Sequence, residues 1–297
     1  NLQDLAMEWF DMVLKNYQDN IVDVYLNDES IEIERVKEVA NDRLVQIKFT
    51  FTMSAFSKCF RPVSSYPSDY ANVLTWLRAD SGLTFDIPTK QVSAWADQSG
   101  NNNDISQSTK SKQALRYGYD GANDKARIEF NGTSNYFVSD GNCPITRDFT
   151  MFFVAQVNQD ATENADYFSF VNGQKEITIG STNNELRALF SDANGDGANL
   201  TLSGSDTSNY HIAVAHFHNK NMHLEFNNTL SSHVQESGFD HTTTFNDATY
   251  TIGYKLSEDA THYLDGNLQE FIIYDHELTE TEIADIKSYL NNKYKIY

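Results

Sequence analysis

Two hydrophobic rhythms run along the 297-residue chain and divide it. Residues 2–17, LQDLAMEWFDMVLKNY, carry Leu2, Leu5, Met7, Trp9, Phe10, Val13, Leu14 and Tyr17 three to four positions apart. Acids sit early in that segment, as the dipole of an amphipathic helix favours. The period then falls to two, in IVDVYL (21–26), SIEIERV (30–36) and LVQIKFTFTMSAF (44–56). In the last run Val45, Ile47, Phe49 and Phe51 alternate with Gln46, Lys48, Thr50 and Thr52. One helix and about three strands predict a small α+β segment over residues 1–60. It is short for an independent core, so it is expected to pack on a neighbouring subunit or on the rest of the chain. RPVSSYPSDY (61–70) holds two of the four prolines and no apolar period, which places a linker at 61–71.

From residue 72 onward the chain is a succession of short alternating runs between Gly, Asn, Asp and Ser turns. They are ARIEF (126–130), DFTMFFVAQV (148–157), YFSFV (167–171), EITIG (176–180), ELRALF (185–190), NLTLS (199–203), YHIAVAHFH (210–218), MHLEFN (222–227), TYTIGY (249–254) and LQEFIIYD (268–275). Such spacing predicts a mainly β fold, an antiparallel β-sandwich over 72–297. A hairpin is expected about Asn219-Lys220. The end changes rhythm again: Thr279 with Glu282 forms a capping box, and Ile283, Ile286, Tyr289 and Leu290 then make the stripe of one short helix.

Composition narrows the partners. Apolar residues make up 40% and aromatics 13%, ample for a packed core that leans toward sheet. The formal net charge is −20, a field that repels phosphate backbones and anionic membrane surfaces, so no nucleic acid partner is expected. No apolar run reaches the roughly 18 residues of a bilayer span, so no membrane insertion is expected. Cys59 and Cys143 stand in no metal-ligand spacing, and two unrelated thiols are favoured over one disulfide. No signal-like stretch follows Asn1, and the chain is expected to begin after processing or after a disordered start.

Four segments in order resemble the concanavalin A-like, laminin-G-like jelly-roll family. LTWLRADSGLTFD (74–86) resembles its opening strand and VSAWADQSGNNND (92–104) its W-x-D-x-S-G-x-x-N turn. RIEFNGTSNYFV (127–138) and LDGNLQEFIIYDHELTETEIADIKSYLNNKY (264–294) are similar to its Phe-Asn-Gly strand and its terminal strand with closing helix. At LEFNNTL (224–230) Asn227-Asn228 stands where many relatives carry Asn-Gly, and Asn tolerates the left-handed conformation. The resemblance makes 95–104 a structural turn. Trp95 would anchor the core, Asp97 and Ser99 would hydrogen-bond backbone, and Gly100 would allow a positive φ. Residues 1–60, closing with FTFTMSAFSKCF, resemble the last part of neck or tail-completion proteins of tailed bacteriophages.

The same sandwich hosts glucanases, and retaining glycosidases need two carboxylates about 5–5.5 Å apart. No strand offers the E-x-D-x-E pattern of the laminarinase-type relatives. Glu32 and Glu34 lie outside the sandwich, Glu225 and Glu270 stand alone, and capping explains Glu280, Glu282 and Asp285. No nucleophile-elbow motif occurs, so no enzyme is expected.

SDANGDGAN (191–199) copies the first positions of a calcium loop with Asp192, Asn194, Asp196 and Gly197. Its twelfth position is Ser203 rather than Glu, leaving a loose calcium site or a plain hairpin tip. His216 and His218 share a strand face, with His223 across the hairpin, either a zinc-type cluster or a polar outer face.

A sugar site needs an aromatic platform beside planar polar groups. Candidates are Tyr117, Tyr119, Asn135, Tyr136, Tyr263 and Asp265, each equally readable as a packed loop residue. Asn131, Asn199 and Asn227 open N-x-T triplets, which matter only where the source glycosylates.

The sequence therefore points to a non-enzymatic virion protein of a tailed bacteriophage. Residues 1–60 would bind other virion proteins or copies of the same chain. Residues 72–297 would be displayed for decoration or attachment to host-surface glycans. The competing expectations are a secreted or cell-surface bacterial adhesin or carbohydrate-binding module, and a sandwich hydrolase.

Overall fold

Period-two alternation becomes paired strands wherever one face of the run can be buried. The computed structural model describes residues 31–35, 47–51, 66–158, 164–235, 237–240, 242–255 and 262–297. The helix expected over 2–17, the strand expected over 21–26 and Cys59 lie outside the described residues. The chain divides into two units, Asn1–Val63 and Ser64–Tyr297. In the first, Ile31–Arg35 (β1) pairs antiparallel with Ile47–Phe51 (β2), setting Ile33 opposite Phe49 and Glu34 opposite Lys48.

The second unit opens with Val73–Arg78 (β3), Leu83–Phe85 (β4), Val92–Trp95 (β5), Ile105–Ser106 (β6), Leu115–Tyr117 (β7), Arg127–Asn131 (β8) and Phe137–Ser139 (β9). Longer strands follow: Phe149–Val157 (β10), Ala165–Asn172 (β11), Lys175–Thr182 (β12), Glu185–Ser191 (β13) and Gly197–Leu202 (β14). Then come His211–His218 (β15), Asn221–Phe226 (β16), Leu230–Gln235 (β17), Tyr250–Ile252 (β18), Asp265–Tyr274 (β19) and the helix Glu280–Tyr294 (α1). One sheet runs β17-β16-β15-β10-β19-β8-β7, with β3 also on β19; the other runs β14-β13-β12-β11-β18-β9-β6-β5-β4. Every pairing is antiparallel, as the alternation predicts. All ten predicted runs are strands. The short edge strands and β17 carry too little apolar alternation to be read beforehand.

Two apolar layers hold the unit. Between the sheets lie Trp95, Phe130, Phe153, Phe168, Ile179, Leu224 and Phe271, each 1% exposed or less. On the outer face of the first sheet, Phe152, Val154, Ile212, Val214 and Ile272 are covered by Ile283, Ile286 and Leu290 of α1. This second layer explains why β10 reads as an almost unbroken apolar run: both of its faces are buried. The capping box forms as predicted, with Glu282 N–H donating to Thr279 Oγ1 at 3.3 Å and Thr279 N–H to the Glu282 carboxylate at 2.8 Å. The β15–β16 hairpin turns on Asn219 and Lys220, both at positive φ, and Asn227 takes the left-handed conformation at φ 53°.

Candidate glycan-binding site

The polar run at 95–104 is a brace between strands. Trp95 is fully buried and its Nε1 donates to the Arg78 carbonyl at 2.9 Å. The Asp97 carboxylate accepts from the N–H of Trp76, Ser99 and Asn103 and from the Ser99 hydroxyl. Asn101 and Asn103 donate their amides to the β3 carbonyls of Val73 and Leu74, and Gly100 takes φ 91°. The amides of Asn101 and Asn103 are thus spent on backbone.

The sugar-site candidates separate into two places. Tyr117, on β7, has the Lys90 ammonium 4.2 Å and the Arg127 guanidinium 4.3 Å from its ring centre, so cations already engage it. Tyr119 lies just beyond and is 63% exposed. Asn135 is buried and donates to the Gln113 carbonyl at 3.0 Å, a structural role.

Tyr136 and Tyr263 do come together, around a third ring that sequence reasoning missed. Tyr254 stacks on Tyr263 with centroids 4.4 Å apart and lies 5.4 Å from Tyr136; Tyr136 and Tyr263 are 6.4 Å apart. All three are half-buried. Tyr254 and Tyr263 face each other as an antiparallel bridge, closed by Lys255 N–H to the His262 carbonyl and Leu264 N–H to the Gly253 carbonyl. Gly253 is required here: at φ 84°, a Cβ would stand 2.4 Å from the Phe130 ring. Burial and the neighbouring tyrosines push the Tyr254 phenol above its usual range.

Polar groups frame this platform. Lys112 Nζ is 3.4 Å from the Tyr136 hydroxyl. Asp265 opens β19 beside it and accepts from Asn158 at 2.6 Å. His262 is fixed from both ring nitrogens, by Asp166 at 3.1 Å and Asn164 at 3.3 Å. Asp166 is itself fully buried and paired with Arg187 at 2.5 Å. An ion pair inside the sheet thus positions the loop that carries Tyr263. The alternation of TYTIGY placed Tyr254 at a strand end, but only the long-range bridge reveals its partner.

The calcium reading does not fit the structure. Asp192 is buried, and its carboxylate accepts from the N–H of Asn194, Asp196 and Asp240, bracing the hairpin tip against a neighbouring loop. Asn194 and Asp196 are exposed. The zinc reading is corrected as well. His218 is half-exposed and pairs with Asp148 at 3.1 Å, while His223 stacks between His216 and the unforeseen His233. Among the described residues no group of three or more His, Cys, Asp or Glu side chains is arranged to hold a metal ion.

The lone glutamates have partners. Glu225 pairs with Lys287 at 2.8 Å. Glu270 is buried and accepts from Trp76, Tyr289, Lys293 and Tyr294. Cys143 is a free thiol whose burial pushes it up to about 12.

A two-sheet antiparallel sandwich with a helix packed on one outer face and an aromatic cluster at a loop edge is the architecture of a lectin-like domain. The model of the concanavalin A-like lectin/glucanases superfamily, laminin-G type, matches residues 130–284, and the chain belongs to that superfamily. Among solved structures it is similar to the binding domain of Paraclostridial mosquitocidal protein 1, at 19% identity and TM-score 0.57, covering 76% of this chain and 54% of that one. It is also similar to the receptor binding domain of the botulinum neurotoxin C/D mosaic serotype, at 13% identity and TM-score 0.54, covering 73% and 51%. The receptor binding domain of botulinum neurotoxin D matches at 13% identity and TM-score 0.51, covering 75% and 53%. The chain spans about half the length of these structures, and at such identities the likeness is one of fold. No curated protein matches the chain.

Proposed function

We propose that residues 64–297 form a non-enzymatic glycan-binding module and that residues 1–63 anchor it in a larger assembly. The observation that carries the first part is the Tyr136–Tyr254–Tyr263 cluster. Half-buried rings give the C–H faces of a pyranose an apolar surface, and Lys112, the tyrosine hydroxyls and Asp265 supply hydrogen bonds to its hydroxyls. The similar solved structures are themselves binding or receptor-binding domains, which supports recognition over catalysis. The second part rests on the likeness of the first 60 residues to phage neck and tail-completion proteins. It makes the chain a virion component that displays its lectin-like unit outward to host-surface glycans.

A glycan array probed with the whole chain tests the site. A bound glycan is expected, with Tyr263→Ala and Tyr254→Ala each weakening it by up to about tenfold while melting stays near wild type. A calcium chelator is expected to leave binding unchanged. An array without a hit, or tyrosine variants that bind as well as the parent, would sink the proposal. Imaging the chain within a symmetric particle tests the anchoring role; a lone monomer at high concentration counts against it.

A further inference from the structure

The register of the first sheet brings three histidines into one row. His216 on β15 stands opposite His223 on β16, which stands opposite His233 on β17. Their rings stack, with centroids 4.5 Å apart and planes at 17° for the first pair, and 5.3 Å and 19° for the second. The row forms the floor of a groove of about 510 Å³ whose other wall is the crossing between β19 and α1. That crossing is clasped by Thr150, whose hydroxyl donates to the His276 carbonyl and accepts from Leu278 N–H. His216 is 8% exposed, and its buried Nδ1 has only the long 3.4 Å approach of the Glu277 carboxylate.

Charged groups face the row from every side. Glu277 of the crossing lies 3.4 Å from His216 Nδ1, and Glu225 of β16 lies 3.8 Å from its Nε2. Lys287 of α1 holds the other oxygen of Glu225, and Glu280 opens α1 at the groove rim. At the sheet's end His218 Nδ1 lies 3.1 Å from the Asp148 carboxylate, with Glu277 3.9 Å from His218. The carboxylates can compensate a proton on His216. A second proton on His223 would meet the first at ring-stacking distance, in a partly desolvated groove where like charges repel strongly.

We propose that the His216–His223–His233 ladder is a proton-operated latch. Neutral, its stacked rings hold β15–β17 against the crossing; protonated, they part and release both the edge hairpin and the crossing. Burial and the neighbouring histidine lower the proton affinity of His216, and the same two causes lower that of His223. The unfolded or opened form therefore binds more protons below about pH 6.5, and acid favours opening. The latch is independent of whether the tyrosine cluster binds sugar.

Amide hydrogen exchange on the whole chain, corrected for intrinsic rates, tests this. Between pH 7.5 and pH 5.5, opening across 221–235 and 276–283 is expected to rise severalfold, while β10 and β19 hold. His223→Gln, which keeps a planar side chain but cannot charge, is expected to cut the rise, leaving only the part that burial of His216 supplies. His218→Gln, outside the ladder, is expected to keep it. A flat wild-type response, or an equal rise in His223→Gln, overturns the latch, as does loss of the rise in His218→Gln alone. NMR titration of the wild-type imidazoles gives a reading that no variant's folding can obscure: His216 titrating at or above pH 6.5 also overturns it.

Discussion

Glu270 and His216 lie on the same outer face of the same sheet, beneath the same C-terminal crossing and helix, yet they are satisfied in opposite ways. Glu270 receives an indole N–H, two tyrosine hydroxyls and a lysine, so each of its oxygens has two donors. His216 has two carboxylates nearby, but only at 3.4 and 3.8 Å from its ring nitrogens. The first arrangement has one good state, because any movement of α1 strands a buried charge. The second has two states of similar merit, separated by protons. Burial alone therefore does not mark a site as structural; the count of satisfied atoms does.

Breaking the locked end should have the largest effect. Glu270→Ala removes the shared acceptor of Trp76, Tyr289 and Tyr294 and leaves Lys293 with Asp80 alone, and a loss of about 3–5 kcal/mol in chemical denaturation is expected. A loss below about 1 kcal/mol would show that the four bonds do not act as a lock.

His211 gives an intermediate case, buried like Glu270 but titratable like His216. It sits between Tyr167 at 3.2 Å and the Asn209 carbonyl at 2.9 Å, and burial pulls its pKa down to about 4 from 6.5. The folded state thus refuses a proton that the unfolded chain accepts. Its contribution is present at neutral pH and is lost as pH falls from about 6.5 toward 4, by about 3 kcal/mol at most. Denaturation midpoints of wild type and His211→Phe across that window check this, and parallel curves would refute it.

The smallest effect belongs to the helix start beside the latch. Thr279→Ala removes the cap, for which about 1 kcal/mol is ordinary. If the crossing is as loosely held as His216 implies, the measured loss of global stability falls below that value, and local exchange at 279–283 rises instead.

The sandwich was legible because burial on one face imposes alternation, and every long strand carries it. The turn at 95–104 was legible because Asp, Ser, Gly and Asn do local backbone chemistry that their order encodes. What escaped is what depends on register between distant strands. Tyr254 meets Tyr136 only because the sheet and its loop edge bring them together. His233 sits in LSSHVQ, a run with too few apolar residues to announce a strand, and so the third ring of the ladder was invisible. Glu270 looked isolated because its donors come from a strand and a helix at opposite ends of the unit. Asp192 looked like a calcium ligand because an acid that caps its own hairpin and an acid that awaits a cation share the same short spacing.

The bridge beneath the tyrosine cluster carries a last implication. Tyr254 and Tyr263 are fixed to each other by a bridge whose base Gly253 and Leu264 seal. Backbone bonds, rather than the ring contact, therefore hold the two side chains in place. The aromatic floor can accordingly be edited one ring at a time, each change altering the surface and leaving its neighbour's backbone where it was.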